Sequence, residues 1–472
     1  MSKKRQTIEE LIEEALVPEE EQPYEVPENW VWTRLGSVFQ QGKEQIQPTG
    51  NEKYIGLEHL NKGGGILEIG NAEGIKSKKV IFKTNDVLYG KLRPYLNKHA
   101  HVNFEGVAST DILVYRNENI TTSKLLNMYF NLPHVLRYTN ENSNGINLPR
   151  VSPKSMDVLS FPLPPLNEQK RIAKKVECLL NKLEEAKQLV EEAKETFELR
   201  RKSMLKQALD GKLTKKWRKD ESDSISAYEH IQNAYDELKK TYDEQCLNAK
   251  EKNKPRPKRP EIFKHFSLVD KKIEGLPKWI KTTFIHLCVL QRGYDLPVHA
   301  REEGIYPIVS AGGIIDYHIE YRVKGPGVTT GRSGTIGSVF YIEEDYWALN
   351  TSLYVDHFNG NIPKFVYYYL LSFDFKSYSS STAVPTLNRN NFFDAEVKIP
   401  PIKEQEIIVE MLDNFFNKEA EAYGLIEKLE ENLMKLKQSI LSKAFRGELG
   451  TNEPTEESAI ELLKEVLQEK IK

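Results

Sequence analysis

The chain of 472 residues has few cysteines and no long apolar run. Its three cysteines, Cys178, Cys246 and Cys288, are odd in number and widely spaced, which argues against a disulfide framework and favours a reducing compartment. No stretch of eighteen apolar residues occurs, and no charged-then-apolar leader follows Met1. We therefore expect a cytoplasmic protein that does not span a membrane and carries no secretory signal.

Motifs of catalysis and metal binding are also missing. No Gly-x4-Gly-Lys-Ser/Thr phosphate loop occurs, and the glycine-dense segment Gly331–Gly337 lacks the lysine that such a loop needs. We interpret this segment as a tight turn that exposes Arg332 and Ser333. The ten histidines form no His-Glu-x-x-His motif, and His286 with Cys288 has no second ligand pair, so no zinc site is expected. We predict a non-catalytic chain without a metal or cofactor of its own.

Charge is nearly balanced but unevenly placed. The formal net charge of −2 gives no general attraction to nucleic acid. Nine Lys or Arg residues and one acid lie between Arg200 and Lys219. Composition alone leaves open whether this run is a solvated face or a contact with a polyanion.

A long internal repeat is the most informative feature of the sequence. The motif Pro164–Ile172 returns at Pro400–Ile408, 236 residues later, and the offset holds without a gap for more than sixty residues. The same offset aligns Leu148-Pro149 with Val384-Pro385. A repeat of this length is too long for a solenoid unit, so it predicts two domain-plus-helix halves in one polypeptide.

Each repeat contains a predicted long helix. After each Pro-Pro pair, apolar residues recur at spacings of four and three, beginning at Ile172 and Ile408, which indicates a coiled-coil seam. A Pro-Pro pair cannot continue a helix backwards, and glycine is favoured just past a helix end, so the helices are predicted to end near Gly211 and Gly447. Each covers about 44 residues, or roughly 66 Å. The two seams can pair with each other.

Two positions on the seams carry charge. Glu419 stands where the first repeat has Leu183, and Arg200 where the second has Leu436. In antiparallel helices with flush ends these two side chains lie about eight residues apart, so a direct pair requires a shifted register. Two interpretations stay open: charges at the solvated edge of the seam, which the sequence favours, or a buried ion pair.

A segment with strand and turn chemistry precedes each long helix. Both segments begin with a tryptophan, Trp30 or Trp279, and both alternate short runs rich in Val, Ile, Tyr and Thr with Gly and Asn turns. Three positions correspond at an offset of 241: Gly90 with Gly331, Lys91 with Arg332, and Thr110 with Thr351. We predict two β-rich domains of one fold whose different surfaces suit two different targets.

Shorter elements flank these halves. Three Ser/Thr-x-x-Glu capping boxes predict short amphipathic helices: Thr7 with Glu10, Ser226 with Glu229, and Ser458 with Glu461. The basic, proline-containing stretch from Lys250 to Pro260 is typical of a linker.

Taken together, two variable β-rich domains, each followed by a Pro-Pro-x-x-Glu-Gln helix that ends near Gly-x-Leu, resemble the specificity subunit of type I restriction-modification systems. The resemblance covers nearly the whole chain. Its most specific segments are Leu163–Ile172 with Ile399–Ile408, and Gln207–Leu213 with Lys443–Leu449. Also similar to family target recognition domains are Asp86–Tyr95 with Ser109–Ile112, and Gly325–Gly337 with Asn350–Ser352.

The fold class that the resemblance implies is α+β, with two similar β-rich target recognition domains separated by two long antiparallel coiled-coil helices and related by an internal pseudo-two-fold repeat. The expected order is an N-terminal helical extension at 1–26, target recognition domain 1 at 27–163, spacer helix 1 at 164–213, a helical and basic linker at 214–276, target recognition domain 2 at 277–399, spacer helix 2 at 400–449 and a C-terminal helix at 450–472.

The function that the resemblance implies is sequence-specific DNA binding without catalysis. Each β domain is expected to read one half of a bipartite, asymmetric site. Helices of about 66 Å span at most about 19 base pairs, so two domains can straddle a few unread pairs. The implied partners are double-stranded DNA, two methyltransferase subunits that bind S-adenosylmethionine and modify adenine, and two restriction subunits that use ATP with magnesium.

The resemblance also identifies candidate site residues. Base reading needs directional donors on a rigid frame. The candidates for DNA contact are Lys91, Arg93 and Thr110 in the first domain and Arg332, Ser333, Asn350 and Thr351 in the second. The candidates for contact with a methyltransferase subunit or within the spacer are Glu168, Gln169, Gly211, Glu404, Gln405 and Gly447.

Two other classes of protein stay open at this point. One is the specificity subunit of a related bipartite type II (IIB-like) enzyme, in which one partner polypeptide carries both nuclease and methyltransferase. The other is a coiled-coil adaptor whose β modules bind proteins and not DNA.

Overall fold

The computed structural model describes residues 7–220, 224–379 and 385–471. Val384 of the repeat alignment lies outside them, as do residues 1–6, 221–223 and 472 of the predicted extension, linker and C-terminal helix. The chain forms two compact units: Met1–Glu191 with Ile426–Lys472, and Glu192–Leu425. Each unit combines one β-rich domain with one part of each long helix.

The first half of the chain contains α1 (Ile8–Ala15), β1 (Val31–Arg34), α2 (Leu35–Val38), β2 (Gln40–Gln41), β3 (Gln45–Ile46), β4 (Lys53–Ile55), β5 (Gly70–Asn71), β6 (Lys79–Phe82), β7 (Val87–Gly90), β8 (His99–His101), β9 (Gly106–Ala108), β10 (Ile112–Arg116), α3 (Ile120–Tyr129), α4 (Pro133–Glu141), β11 (Ser143–Asn144), β12 (Arg150–Val151), α5 (Pro153–Asp157), β13 (Ser160–Leu163) and α6 (Leu166–Leu209).

The second half contains α7 (Trp217–Asp220), α8 (Ala227–Glu251), α9 (Ile262–His265), β14 (Lys272–Ile273), β15 (Leu276–Thr283), α10 (Phe284–Leu287), β16 (Val289–Arg292), β17 (Tyr306–Ser310), β18 (Gly313–His318), β19 (Gly327–Gly331), β20 (Val339–Ile342), β21 (Trp347–Ala348), β22 (Ser352–His357), α11 (Pro363–Ser372), β23 (Glu396–Ile399), α12 (Ile402–Phe445) and α13 (Ala459–Ile471).

The two β-rich domains share two strand arrangements, whereas a further sheet of the described residues has five strands in the first domain and three in the second. In the first domain β1 pairs with β13, and a four-stranded sheet has the order β2-β10-β7-β8. In the second domain β15 pairs with β23, and the corresponding sheet has the order β16-β22-β19-β20. Each domain also contains one parallel pair, β4 with β9 and β17 with β21. The predicted duplication is therefore confirmed at the level of topology.

The two long helices are confirmed where the heptads and Pro-Pro pairs predict them, and each has 44 residues. In the first unit, Ile172 and Val176 near the start of α6 share a core with Leu441 and Phe445 at the end of α12. The second unit shows the converse arrangement, since the end of α6 packs with the start of α12. Within each unit the helices therefore run antiparallel. Each fully buried Leu, Ile or Phe side chain stabilises this packing by about 1.5–3 kcal/mol.

One seam charge is buried in the second unit. The carboxylate of Glu419 accepts hydrogen bonds from Nε (2.9 Å) and Nη2 (2.7 Å) of Arg201, and the Glu419 side chain is only 3% exposed. The guanidinium of Arg201 also lies over the rings of Phe416 and Tyr423. The favoured interpretation of Glu419 as a solvated edge charge is wrong, because α6 presents Arg201 to it. Arg200 is exposed.

Capping boxes mark where two of the peripheral helices begin. Capping boxes at Thr7 and Ser226 open α1 and α8 as predicted. With 25 residues, α8 is longer than the short helix that we expected. The extra length is held by aromatic contacts with the segment that follows it, where Tyr235 stacks on Phe266 at a centroid distance of 3.7 Å.

Membrane-spanning helices and clusters of metal ligands are both absent from the described residues. Across residues 7–220, 224–379 and 385–471, no helix combines the length and apolarity needed to cross a membrane. Nor do three or more His, Cys, Asp or Glu side chains converge as a metal site in that part of the chain.

Candidate nucleic-acid interface

In the first domain, two predicted DNA-contact residues lie where β7 ends and β10 begins. The N–H of Lys91 donates to the carbonyl of Asp111 (2.9 Å), and the carbonyl of Lys91 accepts from the N–H of Val151 (3.0 Å). Lys91 is half-buried, whereas Thr110 is exposed. The backbone beneath these side chains is therefore fixed from two directions.

Arg93 lies two residues farther along the same loop. Its backbone is left-handed, with φ of 54°, a conformation that non-glycine residues seldom adopt. Its N–H donates to the carbonyl of Pro149 (2.7 Å), and its side chain is exposed. The neighbouring Arg150 forms an ion pair with Asp111 at 3.3 Å. Arg150 belongs to no recognised motif, although it directly follows the Leu148-Pro149 pair of the repeat.

In the second domain, the four predicted DNA-contact residues lie together at the end of β19. The N–H groups of Arg332 and Ser333 both donate to the carbonyl of Thr351 (2.9 and 3.2 Å). The guanidinium of Arg332 donates to the carbonyl of Asn350 (3.4 Å). These contacts bring two loops that are distant in sequence into one cluster.

The glycine-dense segment that follows is the tight turn that its sequence indicates. Gly334 and Gly337 both have φ of 83°, which favours glycine. The N–H of Gly331 donates to the carbonyl of Ser338 at 2.9 Å. The turn does not expose Arg332 and Ser333 as the sequence predicts, because both residues lie at its base and are half-buried there.

Some polar atoms of the second cluster are already occupied. The side-chain amide of Asn350 donates to the carboxylate of Asp295, which reduces its capacity to donate to a base. The hydroxyl oxygen of Thr351 accepts from the N–H of Ala311 (3.3 Å). Asp295 gave no motif in the sequence. Arg332 is the only cation among the four candidates, and its guanidinium has more N–H donors than the one that bonds to Asn350.

An equivalent backbone hydrogen bond supports each of the two clusters. The carbonyl of Lys91 accepts from Val151, and the carbonyl of Arg332 accepts from Leu387 at 2.8 Å. Lys91 corresponds to Arg332 at the offset of 241, and Val151 to Leu387 at the offset of 236. The two domains thus hold different side chains at equivalent places.

The Glu and Gln residues of the helix motif lie in a junction within each unit. Trp30 Nε1 donates to Glu168 Oε2 at 2.6 Å, and Trp279 Nε1 donates to Glu404 Oε2 at 2.7 Å. Both carboxylates are buried, at 0% and 1% exposure. The first turn of each long helix is therefore joined to the tryptophan that begins the domain in its own unit.

Each carboxylate also accepts from the segment that follows the other long helix. Thr451 and Asn452 donate to Glu168 at 3.3 and 2.8 Å. Thr214 donates to Glu404 at 2.6 Å, and the guanidinium of Arg218 lies against the same oxygen. A buried carboxylate with several donors is well stabilised, and losing one partner is costly.

The adjacent glutamines connect the helix to its domain. Gln169 Oε1 accepts from the Thr122 hydroxyl at 2.7 Å, and its Nε2 donates to the carbonyl of Pro164 at 2.9 Å. Gln405 Oε1 accepts from the N–H of Ile362 at 2.9 Å, and its Nε2 donates to Asn361 Oδ1 at 2.7 Å. Both glutamines are buried.

The two predicted terminal glycines complete the junctions. Gly211 and Gly447 have φ of 68° and 74°. A Cβ on Gly211 would lie 2.7 Å from Leu276, and one on Gly447 would lie 2.3 Å from Pro27. The six junction candidates thus occur in two matching groups, and their contact with a methyltransferase subunit stays a prediction.

Each junction joins a basic segment to an acidic one, and the arrangement is reversed between the two junctions. The start of α6 is basic and the segment after α12 is acidic, whereas the start of α12 is acidic and the segment after α6 is basic. The start of α6 carries Lys170, Arg171, Lys174 and Lys175, and the segment after α12 carries Glu448, Glu453, Glu456 and Glu457. The start of α12 carries Glu404, Glu406, Glu410 and Asp413, and the segment after α6 carries Lys212, Lys215, Lys216, Arg218 and Lys219. The hydrogen bond from Arg171 lowers the pKa of Glu456 below its usual value. The segment after each long helix is therefore opposite in charge to the start of the other long helix, and like in charge to the start of its own helix.

Known proteins resemble the chain in sequence. Residues 27–195 and 294–431 match the family described as the type I restriction modification DNA specificity domain. The chain is 27% identical over 334 residues to the type I restriction enzyme EcoBI specificity subunit of Escherichia coli, which covers 68% of this chain and 65% of that protein. It is 25% identical over 342 residues to the EcoDI specificity subunit of Escherichia coli, which covers 68% and 69%. The chain thus spans about 65% of the EcoBI subunit.

Solved structures resemble the chain in fold. A chain from work on the structural basis underlying complex assembly and conformational transition of the type I R-M system has a TM-score of 0.68 at 20% identity, covering 90% of this chain and 100% of that one. The HsdS subunit from Thermoanaerobacter tengcongensis has a TM-score of 0.51 at 20% identity, covering 91% and 100%. Since the family matches more than half of the chain in two segments, one in each β-rich half, this chain belongs to the type I restriction-modification DNA specificity family.

Proposed function

We propose that this chain is the non-catalytic specificity subunit of a type I restriction-modification system and directs its partners to a bipartite, asymmetric DNA site. Each β-rich domain reads one half-site, and the two long helices set the distance between the half-sites. One observation carries the proposal: the two domains share a four-stranded sheet of equivalent strand order but present different polar clusters on equivalent backbone frames. A pair of similar frames with different side chains suits two different base sequences.

The proposal includes a set of partners. Two methyltransferase subunits supply S-adenosylmethionine chemistry on adenine, and two restriction subunits supply cleavage with ATP and magnesium. The chain itself binds double-stranded DNA and contributes no catalytic group. The three free cysteines, Cys178, Cys246 and Cys288, suit the reducing cytoplasm in which such a complex acts.

Methylation sequencing of cells that contain this chain and its methyltransferase subunit tests the function directly. The expected result is N6-methyladenine in one motif of two short specified blocks separated by unspecified bases. Deleting the gene for this chain should remove that motif. Methylation that persists without the chain, or a single continuous motif, would contradict the proposal.

Arg332→Ala tests the DNA contact of the second domain. We expect the free energy of binding to the specific duplex to weaken by about 1–3 kcal/mol, because a guanidinium that donates two hydrogen bonds to guanine is lost. The measurement is competition between specific and random duplexes at one salt concentration, with the exposed Arg200→Ala as the control. If Arg332→Ala weakens both duplexes equally, Arg332 is a phosphate anchor and does not read bases.

A further inference from the structure

The hairpin of β11 and β12 carries an exposed apolar side chain at its tip. Ile146 is fully exposed (101%), and Leu148 beside it is 45% exposed. One exposed apolar residue is common on protein surfaces, so exposure alone assigns no role. Its position on the domain decides what it can contact.

A strand pairing and a glycine define the turn of the hairpin. Asn144 pairs with Arg150 across its two strands. Gly145 has φ of 106°, and a Cβ there would lie 3.0 Å from the carbonyl oxygen of Leu148, so the turn requires glycine. The turn therefore presents Ile146 outward from the domain.

The base of the hairpin is joined to the predicted DNA-contact loop. Leu92 forms a β-bridge with Arg150, and the N–H of Arg93 donates to the carbonyl of Pro149. The guanidinium of Arg150 is paired with Asp111, directly after Thr110. Backbone contacts thus join the hairpin that carries the exposed tip to the loop that contains Arg93.

The composition of the hairpin suits nucleic acid. Residues 142–152 contain Arg150 as the sole charged residue and no acid. Asn142, Ser143 and Ser152 bond to neighbouring residues of the domain. Asn144 and Asn147 flank the tip with exposed side-chain amides. Side-chain amides and hydroxyls read base edges, and apolar side chains contact the thymine methyl group or enter between bases.

The repeat places a different residue at the equivalent position of the second domain. At the offset of 236, Thr382 corresponds to Ile146. Thr382 lies outside the described residues, so this comparison is one of sequence alone. An apolar residue in one domain and a hydroxyl residue in the other are expected to contact different bases.

We propose that Ile146 contacts a base pair of the half-site read by the first domain and determines specificity at that position. The inference rests on the proposed function and adds a reading element that the motif resemblance did not include. Since the side chain is fully exposed, its replacement leaves the fold intact.

The test compares Ile146→Ser with the unmodified chain and with Leu189→Gln, which replaces an exposed apolar residue on α6. Each chain is expressed with its methyltransferase subunit, and the methylated motif is sequenced. We expect Ile146→Ser to relax one position in one block of the motif while the other block stays unchanged. Affinity for a duplex that carries the unmodified motif should fall about tenfold, with no change for a random duplex.

Three outcomes separate the inference from the function on which it rests. Relaxation of one block in Ile146→Ser, with Leu189→Gln unaltered, supports the inference. An unchanged motif and affinity in Ile146→Ser, or an equal loss for specific and random duplexes, overturns the inference and leaves the function standing. If the unmodified chain directs no bipartite motif, the proposed function itself is wrong.

Discussion

Replacing Glu404 by alanine is expected to destabilise the unit Glu192–Leu425 by about 3–5 kcal/mol. The change removes the acceptor of Trp279 Nε1 and of the Thr214 hydroxyl, and it leaves Arg218 without its carboxylate. The Arg218 side chain is only 10% exposed, so water cannot fully replace the lost partner. The measurement is the free energy of unfolding in urea, followed by tryptophan fluorescence and circular dichroism.

Two further variants test whether the loss of stability comes from the buried carboxylate of Glu404. Glu406→Ala removes an exposed carboxylate from the same helical turn and should change the stability by less than about 0.5 kcal/mol. Glu168→Ala removes the equivalent carboxylate of the other unit, whose direct donors are the uncharged Trp30, Thr451 and Asn452, so a smaller loss of about 1–3 kcal/mol is expected. Equal stability of Glu404→Ala and Glu406→Ala would show that the buried junction does not stabilise the fold.

Replacing Arg201 by alanine is expected to cost about 2–4 kcal/mol, because it leaves the carboxylate of Glu419 buried without a cation. The loss falls below that of a fully buried pair since the Arg201 side chain is 38% exposed and water can reach its place. Glu419 Oε1 already has no hydrogen-bond partner among the described residues. Urea unfolding of the same unit measures the effect.

The reciprocal change should behave differently. Glu419→Leu introduces the residue that the first repeat has at Leu183, removes the buried charge and leaves Arg201 free to turn toward water. We expect a change within about 1 kcal/mol, or a gain in stability, since apolar replacements of buried ion pairs are often neutral or stabilising. If Glu419→Leu destabilises the unit as much as Arg201→Ala, the ion pair itself stabilises the helix contact.

The fold was largely predictable because its signals are local or repeated. The Pro-Pro pairs, the apolar spacing from Ile172 and Ile408 and the glycines Gly211 and Gly447 indicate both long helices, and the observed helices agree. The two β domains were predicted from strand and turn patterns and from a shared offset. The shared order of their four-stranded sheets confirms that a duplicated sequence keeps its central connections even where most side chains differ.

The site was less predictable because its contacts join distant segments. Glu168 meets Asn452 across 284 positions, and no local pattern links the two residues. Arg201, and not the seam residue Arg200, pairs with Glu419, since the local helix contact determines which side chain faces the partner. The sequence did not identify Arg150 and Asp295 for the same reason, because each pairs with a residue on another loop.

The sequence by itself determined the duplication, the two long helices and the family, because helix periodicity, proline and glycine act on neighbouring residues and a repeat is visible without coordinates. Only the tertiary structure decided that Glu168, Gln169, Glu404 and Gln405 are buried, and that the Ile146 hairpin shares a frame with Lys91 and Arg93. The physical reason is that burial and hydrogen bonding depend on which segments meet in space, and a chain can bring together residues that its order keeps hundreds of positions apart.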